Sequence, residues 1–515
     1  MARSMNAQEQ PWWSTRSFAV AMILIAAIPL ILPATPPLVD LPAHIGRYAI
    51  ELMPAQSPLH QWYAFKWGVI GNLGVDLLIV PLGKLFGVEL GVKLIVLLIP
   101  PLTVAGFLLA AREAHGYLPP TAALALPLAY GYPFQFGFVN FTLSMACALL
   151  GFALWLRLSR TDHRRLRAAL FVPFGIILWF FHSFGWGVLG LLAFASGLVR
   201  RHREGQTWVQ SAWQAGLATM PLMPPLLLML IWRSGHVAGD TADWFNFRFK
   251  LYYLLSALRN EGSFFDRACT EALLVFCAFG LLGIGLRRNW QLLLCATILV
   301  VAFICLPRIV LGSAYADMRL VPYMLGVMVI AFTPATRDRR AGNVLAIIAV
   351  SLFVVRIGIQ TRTYARLDHG YKEQLEALNH VPRGSRILNL VDLHCLSAPY
   401  SSRMDHLGSL AIPRTESFVN GQFDMAGAQL LRIRYRAAPG FDADPSQILR
   451  PGRCRQIKSY VYPDVLQQFP RKAFDYLWLM NFIPERRPQN DPGLIPVWQG
   501  PRGALYRIRQ TPIAG

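Results

Sequence analysis

Apolar windows long enough to cross a bilayer recur along this chain as far as about residue 359, and its arginines cluster in the short loops between them. That recurrence restricts the fold more than any other feature. A spanning helix needs about 17–25 mostly apolar residues, and backbone polar groups within hydrocarbon must be satisfied inside the segment. Apolar residues make up 54% of the chain and charged residues 15%, with a mean hydropathy of +0.39. The basic runs Arg157 to Arg167, Arg200 to Arg203, Arg287-Arg288 and Arg337 to Arg340 carry the charge pattern of cytoplasmic loops. Placing them on one side predicts spans near 18–32, 67–85, 90–111, 137–156, 168–184, 186–199, 209–232, 269–286, 290–306, 320–335 and 341–359. The loops 33–66, 233–268 and 307–319 then fall on the other side. The region around Tyr130-Gly-Tyr-Pro-Phe134 is broken by Gly and Pro and predicts a partial or re-entrant helix ahead of 137–156.

The expected fold is therefore a polytopic α-helical membrane protein with about eleven transmembrane helices. Residues 1–359 form the transmembrane domain, with an outer first loop at 33–66. Met1 to Arg16 is polar and no convincing cleavage site follows the first apolar run, which predicts a retained anchor with a cytoplasmic N-terminus. From Gln360 the composition becomes polar. Residues 360–515 are expected to form an extracytoplasmic α/β domain, opened by a surface helix at 361–380. Strands are expected at 386–392 and 475–482, with a closing hairpin around Gly500-Pro-Arg-Gly503. A multi-pass position in a membrane follows from this topology.

The formal charge of +21 raises a nucleic-acid reading. It fails because the basic residues are split among short loops. Five of seven cysteines, at 147, 269, 277, 295 and 305, lie in apolar runs and read as small core residues. Cys395 and Cys454 remain in the tail, where pairing and two free thiols both suit the sequence. No metal is indicated, although a divalent ion is compatible with the chain. There is no P-loop, no GxGxxG opening a βαβ unit, no HExxH and no GxSxG elbow. Asn140-Phe-Thr142 matches an acceptor sequon but lies in an apolar run.

The stretch PATPPLVDLPAHIGRYAIELMPAQSPLHQWYAFK, Pro33 to Lys66, is the candidate reaction centre. Pro42 suits the first turn of a helix. Asp40 then lies just ahead of that helix, with His44 and Arg47 close together on it. A polar connection between two spans, with Asp40 as a helix cap, suits the same residues. Ionisable residues beside spans are costly and mark candidate sites. His182, Arg308, Asp317 and Arg319 are expected on the same outer face as Asp40 and His44. Asp76 falls inside the second span. Arg248 and Lys250, in WFNFRFKLYYLL, are expected on a solvated face at the membrane surface.

With these residues in place the chain resembles the C-type (GT-C) glycosyltransferases. That superfamily includes protein O-mannosyltransferases and the aminoarabinose transferase of lipid A. LVDLPAHIGR resembles the acidic first outer loop, with Asp40 at the position of the candidate general base and Leu41 where a second acid often stands. Asn140 stands where members often carry another Asp. GIILWFFHSFGWG resembles a segment whose basic residue meets the donor phosphate, which here is His182. DMRLVPYMLGV resembles the Arg-x-x-Pro opening of a late span, which assigns Arg319. The resemblance implies transfer of a sugar from a polyprenyl-phosphate carrier to an envelope acceptor, which is a glycan, lipid or protein. Asp40 would be the base, His44 would orient it, and Arg319 with His182 or Arg308 would hold the phosphate. Arg47 and Asn140 stand near the acceptor in this reading. No cofactor beyond the lipid-linked sugar is implied. Two rivals remain open: a transporter or flippase, which calls for paired inverted repeats, and a non-catalytic protein using its outer domain for binding.

Overall fold

A computed structural model describes residues 10–234, 240–310, 312–336, 338–393, 402–425, 427–450, 461–462 and 464–510. Cys395 and Cys454 lie outside the described residues. Among the described residues, four helices are long and apolar enough to cross a membrane: Val88–His115, Val139–Arg160, Ser183–Arg203 and Arg339–His380. A fifth candidate is the pair Trp208–Leu222 and Pro225–Trp232. These are the helices of a membrane protein. Shorter helices cover the other expected spans, at Arg16–Ile25 with Ile28–Ile31, Gly74–Phe86, Arg164–Phe181, Phe264–Leu282, Trp290–Cys305 and Ala316–Ile330.

Two sequence expectations about these helices need correction. The segment 209–232 is bent by 66°. The break falls in Met220-Pro-Leu-Met-Pro-Pro225, where prolines remove amide donors and clash with the preceding turn. The helix expected at 361–380 is the continuation of the last apolar helix, giving 42 residues from Arg339 to His380. Ile359-Gln-Thr361 carries no Gly, Pro or capping signal to stop it, so helix persists where the composition changes. Ahead of Val139–Arg160, the chain forms a 3-10 helix at Ala122–Tyr130 and a short helix at Tyr132–Phe136, both buried. Gly137 ends the second with φ 98°, a left-handed conformation that favours glycine.

The chain divides into two compact units. The first comprises the described parts of Met1–Leu32, Val69–Leu77 and Leu94–Arg362. It contains a buried polar hub. Asp266 Oδ2 accepts the amides of Asn260, Glu261, Gly262 and Ser263 at 3.1–3.2 Å. Its Oδ1 meets the Arg356 guanidinium, which also donates to the Leu258 carbonyl. A carboxylate away from water needs this many donors to offset its lost hydration.

The second unit comprises Pro33–Gly68, Leu78–Lys93 and the described parts of Thr363–Gly515. Its main sheet is mixed. Arg386–Asp392 pairs in parallel with Phe418–Val419, Ile448–Leu449 and Tyr476–Met480. Gly503–Ile508 then runs antiparallel between Tyr476–Met480 and Leu494–Gly500. RILNLVD and YLWLM are near-continuous apolar runs because the central strands are buried on both faces. A second ladder pairs Tyr63–Phe65 with Leu431–Ile433, so residues of the 33–66 loop share a sheet with the tail. Trp62, Tyr63, Phe418, Tyr435 and Phe474 fill the core beneath it. Each such side chain contributes about 1.5–3 kcal/mol on burial.

Candidate functional site

In the second unit, Asp40 immediately precedes the helix Leu41–Glu51, with Pro42 in its first turn. The His44 amide donates to the Asp40 carbonyl at 3.0 Å, which opens the helical ladder. Asp40 has helical φ/ψ of −86° and −9°, and its carboxylate makes no capping bond. A capping side chain needs an extended backbone at this position. The carboxylate lies beside a buried polar cluster supplied by the tail.

The residue that sequence reasoning missed is His406. Its Nε2 lies 3.7 Å from Asp40 Oδ1 and 3.8 Å from Asp444 Oδ1. Its Nδ1 is 3.1 Å from the Gly421 carbonyl oxygen. A carbonyl can only accept, so Nδ1 carries the proton and Nε2 is the nitrogen facing the two carboxylates. Burial pushes the His406 imidazole below its ordinary value, opposed by the Asp444 charge. The adjacent Asp405 carboxyl is held well above its ordinary range, first by burial and then by the charge of Asp444. Phe423 faces both imidazoles, at 4.6 Å from His406 and 6.0 Å from His44. His44 also stacks on Tyr48 at 6.3 Å. Arg47 is buried, with its guanidinium 4.7 Å from the Tyr48 ring centre.

Gly46 allows this arrangement. A Cβ there would lie 2.5 Å from Gln422 Nε2 and 3.1 Å from the Ser409 carbonyl. Gln422 Nε2 donates to the Ala43 carbonyl at 3.1 Å, which holds the helix carrying Asp40 against the tail.

In the first unit, His182 lies between the helices Arg164–Phe181 and Ser183–Arg203. Its Nδ1 accepts the Phe184 amide at 3.2 Å, and its carbonyl accepts the Ser144 hydroxyl at 2.9 Å. Its ring meets Phe141 edge-on at 5.4 Å. Arg319 is an electrostatic neighbour of this histidine. The Arg319 guanidinium sits 4.3 Å from the Phe138 ring centre and donates to Ser313 Oγ at 3.0 Å. Arg308 is engaged by the Asp243 carboxylate and lies over Phe249.

Lys250 departs from the solvated face expected for it. It is buried and paired with Asp317 at 3.2 Å, and it donates to the Phe303 and Leu306 carbonyls. An ammonium is buried only when paired and hydrogen-bonded, and all three partners come from distant sequence. Arg248, its neighbour but one, is exposed. Asn140 donates to Asp76 Oδ2 and to the Asn72 carbonyl, both at 2.9 Å, and accepts the Val75 amide at 2.6 Å. It thereby secures the start of the helix Gly74–Phe86. Among the described residues no group of three or more His, Cys, Asp or Glu side chains is placed to hold a metal ion.

No family model matches the chain, and no curated protein matches it. Among solved structures it is similar to ArnT. The match is to the crystal structure of ArnT from Cupriavidus metallidurans in the apo state, at 13% identity and a TM-score of 0.49. The alignment covers 95% of this chain and 97% of that one.

Proposed function

We propose that the protein is a GT-C-type membrane glycosyltransferase that moves a sugar from a polyprenyl-phosphate donor to an envelope acceptor on the outer face of the membrane. The observation that supports it most is the buried Asp40 carboxylate, 3.7 Å from His406 Nε2. Asp40 takes the proton from the acceptor hydroxyl as that oxygen attacks the anomeric carbon. The bond between that carbon and the phosphate oxygen breaks, and the carrier phosphate leaves as an anion. Arg319, beside His182, is the cation proposed for that phosphate. His406 Nε2 can accept the proton from Asp40 and pass it to Asp444, whose side chain is 24% exposed.

The test is a deletion strain complemented with wild type or Asp40→Asn, followed by mass spectrometry of the envelope glycans. A sugar lost on deletion, restored by wild type and missing with Asp40→Asn, supports the proposal. An envelope unchanged by deletion overturns it.

A further inference from the structure

The second unit also contains a polar cavity apart from the Asp40 cluster. Its volume is about 280 Å³, and Thr35, Asp368, Lys372, Glu376, Asn379 and Arg414 line its polar side. Asp368, Lys372 and Glu376 follow at four-residue spacing, which aligns them along one helix face. Tyr371 and Leu375 supply an apolar wall. The Tyr371 hydroxyl donates to the Arg403 carbonyl, so the ring is fixed.

One group in this wall is unsatisfied. Thr35 is 3% exposed, and its hydroxyl oxygen has no hydrogen-bond partner among the described residues. A buried hydroxyl without a partner costs about 1–3 kcal/mol, so such a group marks a place where a ligand or water completes the structure. Thr35 is held there by its neighbour, because the Ala34 amide donates to Asp368 Oδ1 at 3.0 Å.

The charges decide the class of ligand. Lys372 pairs with Asp368 Oδ2 at 2.7 Å, and Arg414 makes a two-pronged pair with Glu89 at 2.8 and 2.9 Å. Both cations are matched already, so the cavity offers no spare positive charge to a phosphate or sulfate. With Lys372 taken by Asp368 and Arg414 by Glu89, Glu376 keeps its carboxylate as an acceptor for ligand hydroxyls. What remains is a pocket of hydroxyl, amide and carboxylate groups, with no spare cation, facing an apolar wall. Its size is just below the ~300 Å³ floor of ordinary ligand sites, enough for a single small ring. A sugar presents hydroxyls around its rim and C–H groups on its face, which matches both walls.

We propose that this cavity is a subsite for one neutral sugar ring, with Thr35 as a hydrogen-bonding partner and Tyr371 and Leu375 under the C–H face. The assignment stands on the cavity itself and does not depend on the transferase reading.

The experiment uses the full chain in a sugar-free amphipol. Saturation-transfer NMR follows the methyl glycosides of glucose, galactose, mannose and N-acetylglucosamine, with inorganic phosphate and glycine betaine as competitors. At least one glycoside should bind saturably and resist both competitors. Thr35→Val keeps the shape and removes the hydroxyl, so it should weaken binding about tenfold. Glu376→Gln, on the exposed rim, should weaken it less and melt with wild type, while ligand-free Thr35→Val, relieved of an unpaired hydroxyl, should melt at or above it. Saturable binding of none of the four glycosides overturns the proposal. So does binding unchanged in both variants, or displacement by phosphate or betaine.

Discussion

His406 Nε2 lies 3.7 Å from Asp40 Oδ1, while Nδ1 of the same ring is tied to the Gly421 carbonyl. One nitrogen is thus fixed as a donor and the other is left to exchange protons with a carboxylate. Asp40→Asn keeps the size and most hydrogen bonding of the side chain. Positioned acid-base groups contribute about 10²–10⁴-fold in rate, and turnover should fall by that much. Donor binding and expression should stay near wild type in a reconstituted transfer assay. His406→Gln should lower turnover while leaving the donor affinity unchanged. Wild-type turnover in Asp40→Asn would pass the base role to His44.

Arg319 is expected to carry donor affinity. Arg319→Ala should weaken binding of the polyprenyl-phosphate sugar by about 10- to 100-fold, the scale of a charge-assisted hydrogen bond. Lys at this position keeps the charge but loses the planar fork, so it should rescue only in part. Equilibrium binding of radiolabelled donor distinguishes this from an anchoring role, for which affinity would not change.

Asp405 predicts a pH dependence of stability. Its folded carboxyl binds its proton more tightly than the ordinary value of 3.8, because it is buried beside the Asp444 charge. The folded chain therefore holds more protons than the unfolded chain from 3.8 up to the raised value, and stability falls as pH rises through that window. Asp405→Asn should raise the melting temperature near neutral pH and lose that advantage as pH approaches 3.8. An equal shift at every pH would mean that the proton is not the cause.

Gly185 sits where two helices meet. A Cβ there would overlap Ser144 Oγ and lie 2.8 Å from the Ser144 carbonyl oxygen. Ser144 also holds the His182 carbonyl. Gly185→Ala should cost about 1–3 kcal/mol, as overpacking does. It should also weaken donor binding if His182 belongs to the phosphate site. Thermal unfolding of the variant and a donor titration read the two effects separately.

Topology can be read by thiol labelling. Cysteines placed in 33–66 or in the tail should react from outside intact cells, and those at Arg160 or Arg339 only after permeabilisation. Reversal of this pattern would put Asp40 on the cytoplasmic side and remove the proposed donor.

The helical runs were legible in the sequence because the apolar residues that place a helix in hydrocarbon are contiguous. The strand Arg386–Asp392 was legible for the same reason. The 66° break at Pro221 to Pro225 carried its signal openly, but the surrounding hydropathy concealed it. Asp40 could be found from the prolines around it. His406 and Asp444 could not, because they lie hundreds of residues downstream in a polar stretch with no periodicity, and only the fold brings them to Asp40. Lys250 misled for a similar reason. Its local pattern is amphipathic, and its partner Asp317 and the two carbonyls that accept from it belong to later segments.

The Asp266 hub bears on how the protein is made. Among the described residues, four of the five donors to the Asp266 carboxylate come from the residues just before it, but the fifth, Arg356, is 90 residues further along the chain. At ribosomal speeds of about 5–20 residues per second, the acid waits several seconds for its cation. During that interval an unneutralised carboxylate stands at the start of an apolar helix. Only when the last apolar helix arrives do Asp266 Oδ1 and the Leu258 carbonyl gain the Arg356 guanidinium. Early segments are thus completed by late ones, and a truncated chain ending before Arg356 would present its insertion machinery and its proteases with an exposed mark of incompleteness.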